Sequence, residues 1–398
     1  MKRLKVSYHM APGQVVAVGE LAEDRSRFFF EFDESFITRG LPLSPFKLPV
    51  APGLHTFQKL PGVFDDALPD GWGRLLMDRF LRQNGRSPAA FTELDRLAWL
   101  GHHALGALSF HPPSRDPDES AQEADLGRLA REAQAVIEGE AGIVLPELLK
   151  AGGSPGGARP KVLAGIHKGE LITGPEPYPK GYDPWLIKFF ARTDPPDTGA
   201  VEAAYAHMAQ AAGLTFPEHR LFEIPEGRFF GVKRFDREGQ GRIHMHSLGN
   251  LIGADFRVPC LDYQDIHKVV RLLTGDMAQV LQVYRLMVFN VLAHNRDDHA
   301  KNFAFLFKPR EGWQLAPGFD LTFAEGPGGE HTTSVCGEGH APGNEHFHRI
   351  AEKAGIGSAE AGQIAAEVRE AVSRWPSFAR TCGVRKATVA RIGKVLAT

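Results

Sequence analysis

The sequence predicts an α+β, bilobal fold: a strand-rich N-terminal subdomain, then a mixed lobe, then an all-α C-terminal lobe. Three observations carry this expectation. Short apolar runs bounded by turn residues crowd the first hundred positions. A proline-rich polar stretch, His111-Pro112-Pro113-Ser114-Arg115-Asp116-Pro117-Asp118, then reads as a linker. From about residue 262 onward, apolar residues recur at helical spacing. The expected division is 1–112, 113–255 and 256–398, and 398 residues suffice for two or three cores of ordinary size.

Val15 to Val18 and Phe28 to Phe32 read as strands. A helix starts near Asp70 and continues through Leu75, Leu76, Arg79 and Phe80; another follows the linker, with Leu126, Leu129, Ala133, Val136 and Ile137 on one face. Lys161 to Ile166, Leu171 to Thr173 and Trp185 to Phe190 read as neighbouring strands, and Phe229 to Phe235 as a further one. Glu202 to Ala212 is a helix ended by Gly213. Met277, Val280, Leu281, Tyr284, Met287, Val288 and Val291 mark one face of a long buried helix that runs into a dense polar cluster. A hairpin, Phe303 to Phe307 with Trp313 to Ala316, comes next. The tail returns to helix, with Ile364, Ala365, Val368, Val372 and Trp375 on one face.

Composition narrows the class. Hydrophobic residues make up 43% and charged residues 24%, the balance of a globular chain. A formal net charge of −2 argues against a broad nucleic-acid-binding surface. Cys260, Cys336 and Cys382 lack metal-ligand spacing and cannot all pair, so they read as reduced thiols. The most apolar segment, Met277 to Ala293, is interrupted by Gln282 and Arg285, so no membrane span is expected. The chain reads as cytoplasmic.

The chemistry concentrates near residue 300. Asp297 is followed five positions later by Asn302, and Asp320 comes just after the hairpin. This order is the one protein kinases use: a base for the attacking hydroxyl, then two ligands for Mg²⁺ beside ATP. Phosphoryl transfer also needs its phosphates held and neutralised. Gly152-Gly153-Ser154-Pro155-Gly156-Gly157-Ala158-Arg159-Pro160-Lys161 is the phosphate-loop candidate, although it fits neither Walker A nor G-x-G-x-x-G, and a flexible turn is its plainer reading. Lys188, ending an apolar strand, either reaches nucleotide phosphates with Glu202 as acidic partner or simply points to water. Lys233-Arg234-Phe235-Asp236-Arg237 reads equally as the lobe connection beside adenine and as a solvated hairpin end. His294, Asp297, Asp298 and His299 leave a metal-hydrolase site as the rival. The combination of spacing, lysine and loop in one order favours a protein-kinase-like fold with a ligand cleft between its lobes.

Together these residues resemble the HipA family of serine/threonine kinases, the toxins of bacterial type II toxin–antitoxin modules. The resemblance runs from Leu68-Pro69-Asp70-Gly71-Trp72-Gly73 through the glycine-rich loop, Leu186-Ile187-Lys188, Arg234-Phe235-Asp236-Arg237 and Asp297-Asp298-His299-Ala300-Lys301-Asn302-Phe303 to Phe319-Asp320. It implies Asp297 as catalytic base, Asn302 and Asp320 as Mg²⁺ ligands, and Lys188 as the nucleotide-binding lysine. It implies Gly156, Gly157, Ala158, Arg159, Pro160 and Lys161 as phosphate loop, Lys233, Arg234 and Phe235 as adenine-side linker, and His299 and Lys301 lining the nucleotide site. Ser154 matches a serine that family kinases autophosphorylate, which shuts them off. Such proteins phosphorylate a translation component, in some cases an aminoacyl-tRNA synthetase. They are restrained by a separate helix-turn-helix antitoxin, through which they also reach operator DNA. A kinase-like subunit acting mainly as co-repressor is the alternative function. Asp298 departs from the pattern; its extra carboxylate is expected to raise the pKa of Asp297 or add a metal contact.

Overall fold

The computed structural model describes every residue except 26, 115–120, 140–145, 153–156, 158, 175, 192–193 and 398, and the backbone alone of 146, 150 and 152. By contact density the chain divides into two compact units. One holds Met1–Pro195, Glu223–His246 and Asn250–Gly253; the other holds Pro196–Phe222, Ser247–Gly249 and Ala254–Thr398.

The first unit contains two sheets. β1 (Lys2–Ala11), β2 (Gln14–Asp24), β3 (Arg27–Phe32), β4 (Leu54–Phe57) and β5 (Leu108–His111) form an antiparallel sheet in the order β4-β3-β2-β1-β5. Its inner face follows from strand periodicity: Leu4, Val6 and Tyr8 alternate inward on β1, as do Phe28, Phe30 and Phe32 on β3. Phe30 packs edge-on against Phe32 at 4.8 Å between ring centroids.

Within this unit the second sheet comprises β6 (Gln122–Glu123), β7 (Lys161–His167), β8 (Glu170–Thr173), β9 (Asp183–Lys188) and β10 (Gly227–Lys233). β7 is paired antiparallel with both β8 and β9, and β10 pairs with β9. Central placement explains why β7 is apolar from Val162 to Ile166 rather than alternating: Val162, Leu163, Ala164 and Ile166 are all buried. β9 ends at Lys188, two residues short of the expected run, and Phe189 and Phe190 leave the sheet but stay buried.

The second unit is mostly helical, with a hairpin of strands Ala304–Lys308 and Gly312–Leu315 where one is expected. The helix Met277–Leu292 starts where Asp276 caps it by accepting the Ala278 N–H at 2.8 Å, and it buries Val280, Val283, Tyr284, Met287 and Val288. Met277, expected on the buried face, is 37% exposed because it opens the first turn. The tail differs from a single helix. Ser358–Ser373 ends before Trp375–Thr381 begins, because Pro376 has no N–H to continue the ladder and occupies a first-turn position instead. No helix among the described residues is long and apolar enough to cross a membrane.

Candidate active site

In the second unit, the long helix delivers the chain into the loop that carries Asp297. The two adjacent carboxylates take opposite positions. Asp297 is exposed, whereas Asp298 is 1% exposed and engaged on every side. The Asp298 carboxylate accepts from Tyr263 Oη at 2.9 Å, and from the Thr332 and Thr333 N–H groups at 2.9 and 3.2 Å. His331 Nδ1 lies 3.0 Å away. The metal contact expected of Asp298 is therefore corrected: its oxygens are spent inside, holding the loop. The clamp extends further, since Asn290 Nδ2 donates to Tyr263 Oη at 2.9 Å and Asn295 Nδ2 to Asn290 Oδ1 at 2.9 Å. A buried polar chain of this kind, each member bonded, fixes one geometry.

Asn302 closes a short 3₁₀ turn, Ala300–Asn302, and its Nδ2 donates to the Asp297 main-chain carbonyl at 2.7 Å. That bond uses one of the two amide hydrogens and leaves Oδ1 as the acceptor offered by this side chain. Asp320 is half-buried with φ +53°, a left-handed conformation that short polar side chains tolerate best, at a cost of about 1–2 kcal/mol. The chain just beyond it is tied back to the start of the Asp297 loop. Ala324 N–H donates to His294 O at 3.0 Å, and Arg296 N–H to Ala324 O at 3.3 Å. The segments bearing Asp297, Asn302 and Asp320 are thereby laced together.

His299 and Lys301 flank Phe256: the imidazole centroid is 5.5 Å from the ring, and Lys301 Nζ is 4.8 Å above it. His294, part of the rival hydrolase set, stacks on Phe323 at 5.3 Å; burial and Arg296 hold its pKa down to about 4. With Asp298 also committed, no group of three or more His, Cys, Asp or Glu that could hold a metal exists among the described residues. The hydrolase reading loses its ligand set.

In the first unit, Lys161 and Lys188 are register partners across β7 and β9, so both side chains leave the same face. Two cations directly opposite each other repel unless an anion joins them. Lys161 is 5% exposed, and Lys188 is half-buried with its Nζ 5.7 Å above the Phe230 ring. Gly157 comes close to the same lysine: its φ is +93°, and a Cβ there would run into Lys161 Nζ. The motif around Asp70 holds this stretch of loop. Asp70 sits at the N-cap of helix Gly71–Gln83, yet its carboxylate accepts the Gly157 N–H rather than capping the helix. Trp72 N–H donates to Gly157 O at 2.9 Å, and Trp72 Nε1 to Lys161 O at 2.9 Å. Arg159 is exposed, and Pro160 O accepts the Phe189 N–H at 2.8 Å. Ser154, Gly156 and Ala158 lie outside the described residues.

Arg234 and its neighbours form a network that sequence reasoning did not foresee. The Arg234 guanidinium donates to Asp236 at 2.9 and 2.7 Å and to Glu176 at 2.6 Å. Arg237 donates to Glu176 at 2.6 Å and to Asp236 at 2.7 Å. Burial opposes these charges, but the facing arginines outweigh it and hold Asp236 and Glu176 below the usual carboxylate range. Lys233 pairs with Asp183 at 2.9 Å, and Phe235 is half-buried. Glu202 is 4% exposed on the helix Thr198–Ala211. Ser44, His246 and Asp66 also align as a hydroxyl–imidazole–carboxylate chain, at 2.9 and 2.5 Å. Ser44 and His246 are 1% and 0% exposed, so no substrate reaches them.

Residues 153–375 match the HipA-like C-terminal domain, and residues 13–111 match the HipA N-terminal domain. The chain belongs to the HipA family. It is 26% identical over 370 residues to a Sinorhizobium fredii protein named "Putative kinase Y4dM", covering 86% of this chain and 80% of that one. A second protein of that organism, "Putative kinase Y4mE", is 28% identical over 333 residues, covering 76% and 74%. Among solved structures, the Shewanella oneidensis toxin–antitoxin complex of HipA, HipB and operator DNA superposes with a TM-score of 0.70. That match covers 99% of this chain and 95% of the other at 16% identity. The chain thus has the mixed helix-and-sheet HipA fold, as the ordered motifs lead one to expect.

Proposed function

We propose that this HipA-family protein is an ATP- and Mg²⁺-dependent serine/threonine protein kinase that acts as a growth-arresting toxin. The observation carrying the proposal is the split between Asp297, exposed, and Asp298, buried and fully bonded, with Asn302 anchored on the Asp297 main chain. In this reading Asp297 accepts the proton of a substrate hydroxyl as its oxygen bonds to the γ-phosphorus. The bond from that phosphorus to the ADP oxygen breaks, and ADP leaves. Asn302 and Asp320 offer hard oxygen donors that suit Mg²⁺, which when bound neutralises phosphate charge. Lys161 and Lys188 supply the fixed positive charge for the phosphates. His299 and Lys301 add polar contacts, and the main chain of Lys233 to Phe235 serves adenine.

Ser154, within the glycine-rich loop, is the proposed autophosphorylation site. A phosphate there adds about −1.5 to −2 charges where ATP phosphates must sit, which opposes nucleotide binding. The proposed partners are a separately encoded helix-turn-helix antitoxin, with operator DNA reached only through it, and a protein substrate of the translation machinery, an aminoacyl-tRNA synthetase being the named candidate. The test is mass spectrometry of the purified chain after incubation with Mg-ATP. Phospho-Ser154, absent from an Asp297→Asn variant treated alike, is the expected result. An unmodified wild-type chain, or equal modification of both, would overturn the autokinase reading.

A further inference from the structure

A cavity of about 250 Å³ opens in the first unit, walled by the turn after β1, by His102 and by the hairpin that joins Arg237 to Arg242. It shares no lysine with the phosphate loop described above. Arg237 and Arg242 are register partners in this hairpin, so two guanidiniums face each other. Arg237 is neutralised by Glu176 and Asp236, but those two carboxylates also serve Arg234. Three cations therefore meet two anions, and Arg242 is the one left over. Its Nη2 donates to the main-chain oxygen of His102, while its Nη1 has no hydrogen-bond partner among the described residues. Burial, then the neighbouring Arg237, pulls its pKa down to about 9, and Glu176 and Asp236 offset this only in part.

The rest of the wall supplies neutral donors. His102 stands edge-on to His9 at 6.1 Å. Burial, with Arg242 next, holds His9 down to about 3, and the same causes with His111 lower His102, so both imidazoles are neutral and able to donate. Gln240, at the hairpin turn, makes one long bond of 3.5 Å to Tyr178 O. A forked guanidinium, an imidazole and an amide spread over one cavity offer more donors than the two oxygens of a carboxylate use. They match a tetrahedral oxyanion better. We propose that this cavity binds a small ligand bearing a phosphate monoester group, anchored by Arg242 and oriented by His102 and Gln240.

The probe is inorganic phosphate, titrated at constant ionic strength against the full chain while the Arg242 guanidinium NMR signal is followed. A saturable shift of that signal is expected, and Arg242→Gln should weaken phosphate binding about tenfold or more, the value of one charge-assisted bond. Gln240→Ala should weaken it several-fold, and it sits on an exposed turn where folding is not at stake. Lys188→Met should leave it unchanged. An unmoved Arg242 signal, unaltered binding in both cavity variants, or loss of binding in Lys188→Met would overturn the proposal. An equal response to acetate would overturn the phosphate class.

Discussion

The Asn302 side-chain amide donates to the Asp297 main-chain carbonyl at 2.7 Å, bridging the four residues between them. This bond gives the spacing a physical meaning. One residue fewer or more would turn the amide away from that carbonyl, and the loop would lose the brace that presents the Asp297 carboxylate. The same loop is fixed from beneath by Asp298, so one acid is displayed by burying the other.

Replacing each acid in turn should therefore separate chemistry from stability. Asp297→Asn should cost on the order of 10²–10⁴ in phosphoryl-transfer rate while leaving the urea midpoint near wild type. Asp298→Ala should instead unfold more easily, by about 3 kcal/mol or more, because four buried donors lose their acceptor. Turnover and equilibrium unfolding of both variants check this. A stable, inactive Asp298 variant beside an active Asp297 variant would reverse the assignment.

The facing lysines carry a prediction of their own. In Lys188→Met, ATP affinity should fall roughly tenfold to a hundredfold, the value of a bond to a charged group. Calorimetric titration reads the affinity, and a cooperative thermal melt shows that the variant is folded.

Acid sensitivity should trace to the Arg234–Asp236–Arg237–Glu176 network. Asp236 and Glu176 are held below their unfolded values. Their stabilisation is thus complete above the ordinary carboxylate pKa of ~4 and drains away as pH falls beneath it. Asp236→Asn should weaken the protein at neutral pH, by about 3–5 kcal/mol as for a broken buried ion pair, and flatten the loss below that pH. Unfolding curves between neutral and acid pH give the comparison.

Two buried histidines act over a higher window. His244 bonds Leu43 O at 2.8 Å and His267 bonds Tyr263 O at 2.7 Å; burial holds each to about 4 against an ordinary 6.5. Between those values the unfolded chain binds the extra protons, so stability falls as pH drops from 6.5 toward 4. Each pK unit is worth about 1.4 kcal/mol, which makes the loss a few kcal/mol per histidine. His267→Leu should show a shallower fall in urea midpoint over this range than wild type.

Much of this was legible in the chain. β7, β9 and the helix before Asp297 announce themselves by apolar runs, because each buries residues on more than one side. The Asp297-to-Asn302 spacing is local, so a sequence displays it whole. β1 went unread: Lys5 and Ser7 separate Leu4, Val6 and Tyr8, so its alternation leaves no apolar run to notice. What sequence could not show are the long-range partners. Asp70 pairs with Gly157 across 87 positions, and Arg234 with Glu176 across 58. A charged residue carries no mark of which distant charge it will meet. For the same reason Asp298 read as a spare acid until Thr332 and Thr333 were seen to enclose it.

The most direct test of the central claim follows label from the γ-phosphate of ATP, with Mg²⁺, onto serine or threonine by the wild-type chain and by Asp297→Asn, Asn302→Ala and Asp320→Asn. The account predicts transfer by wild type, none above background by Asp297→Asn although ATP still binds, and loss of the Mg²⁺-dependent part of ATP binding in the other two. Wild-type chain that binds Mg-ATP but transfers nothing, or Asp297→Asn that transfers as wild type does, would contradict it.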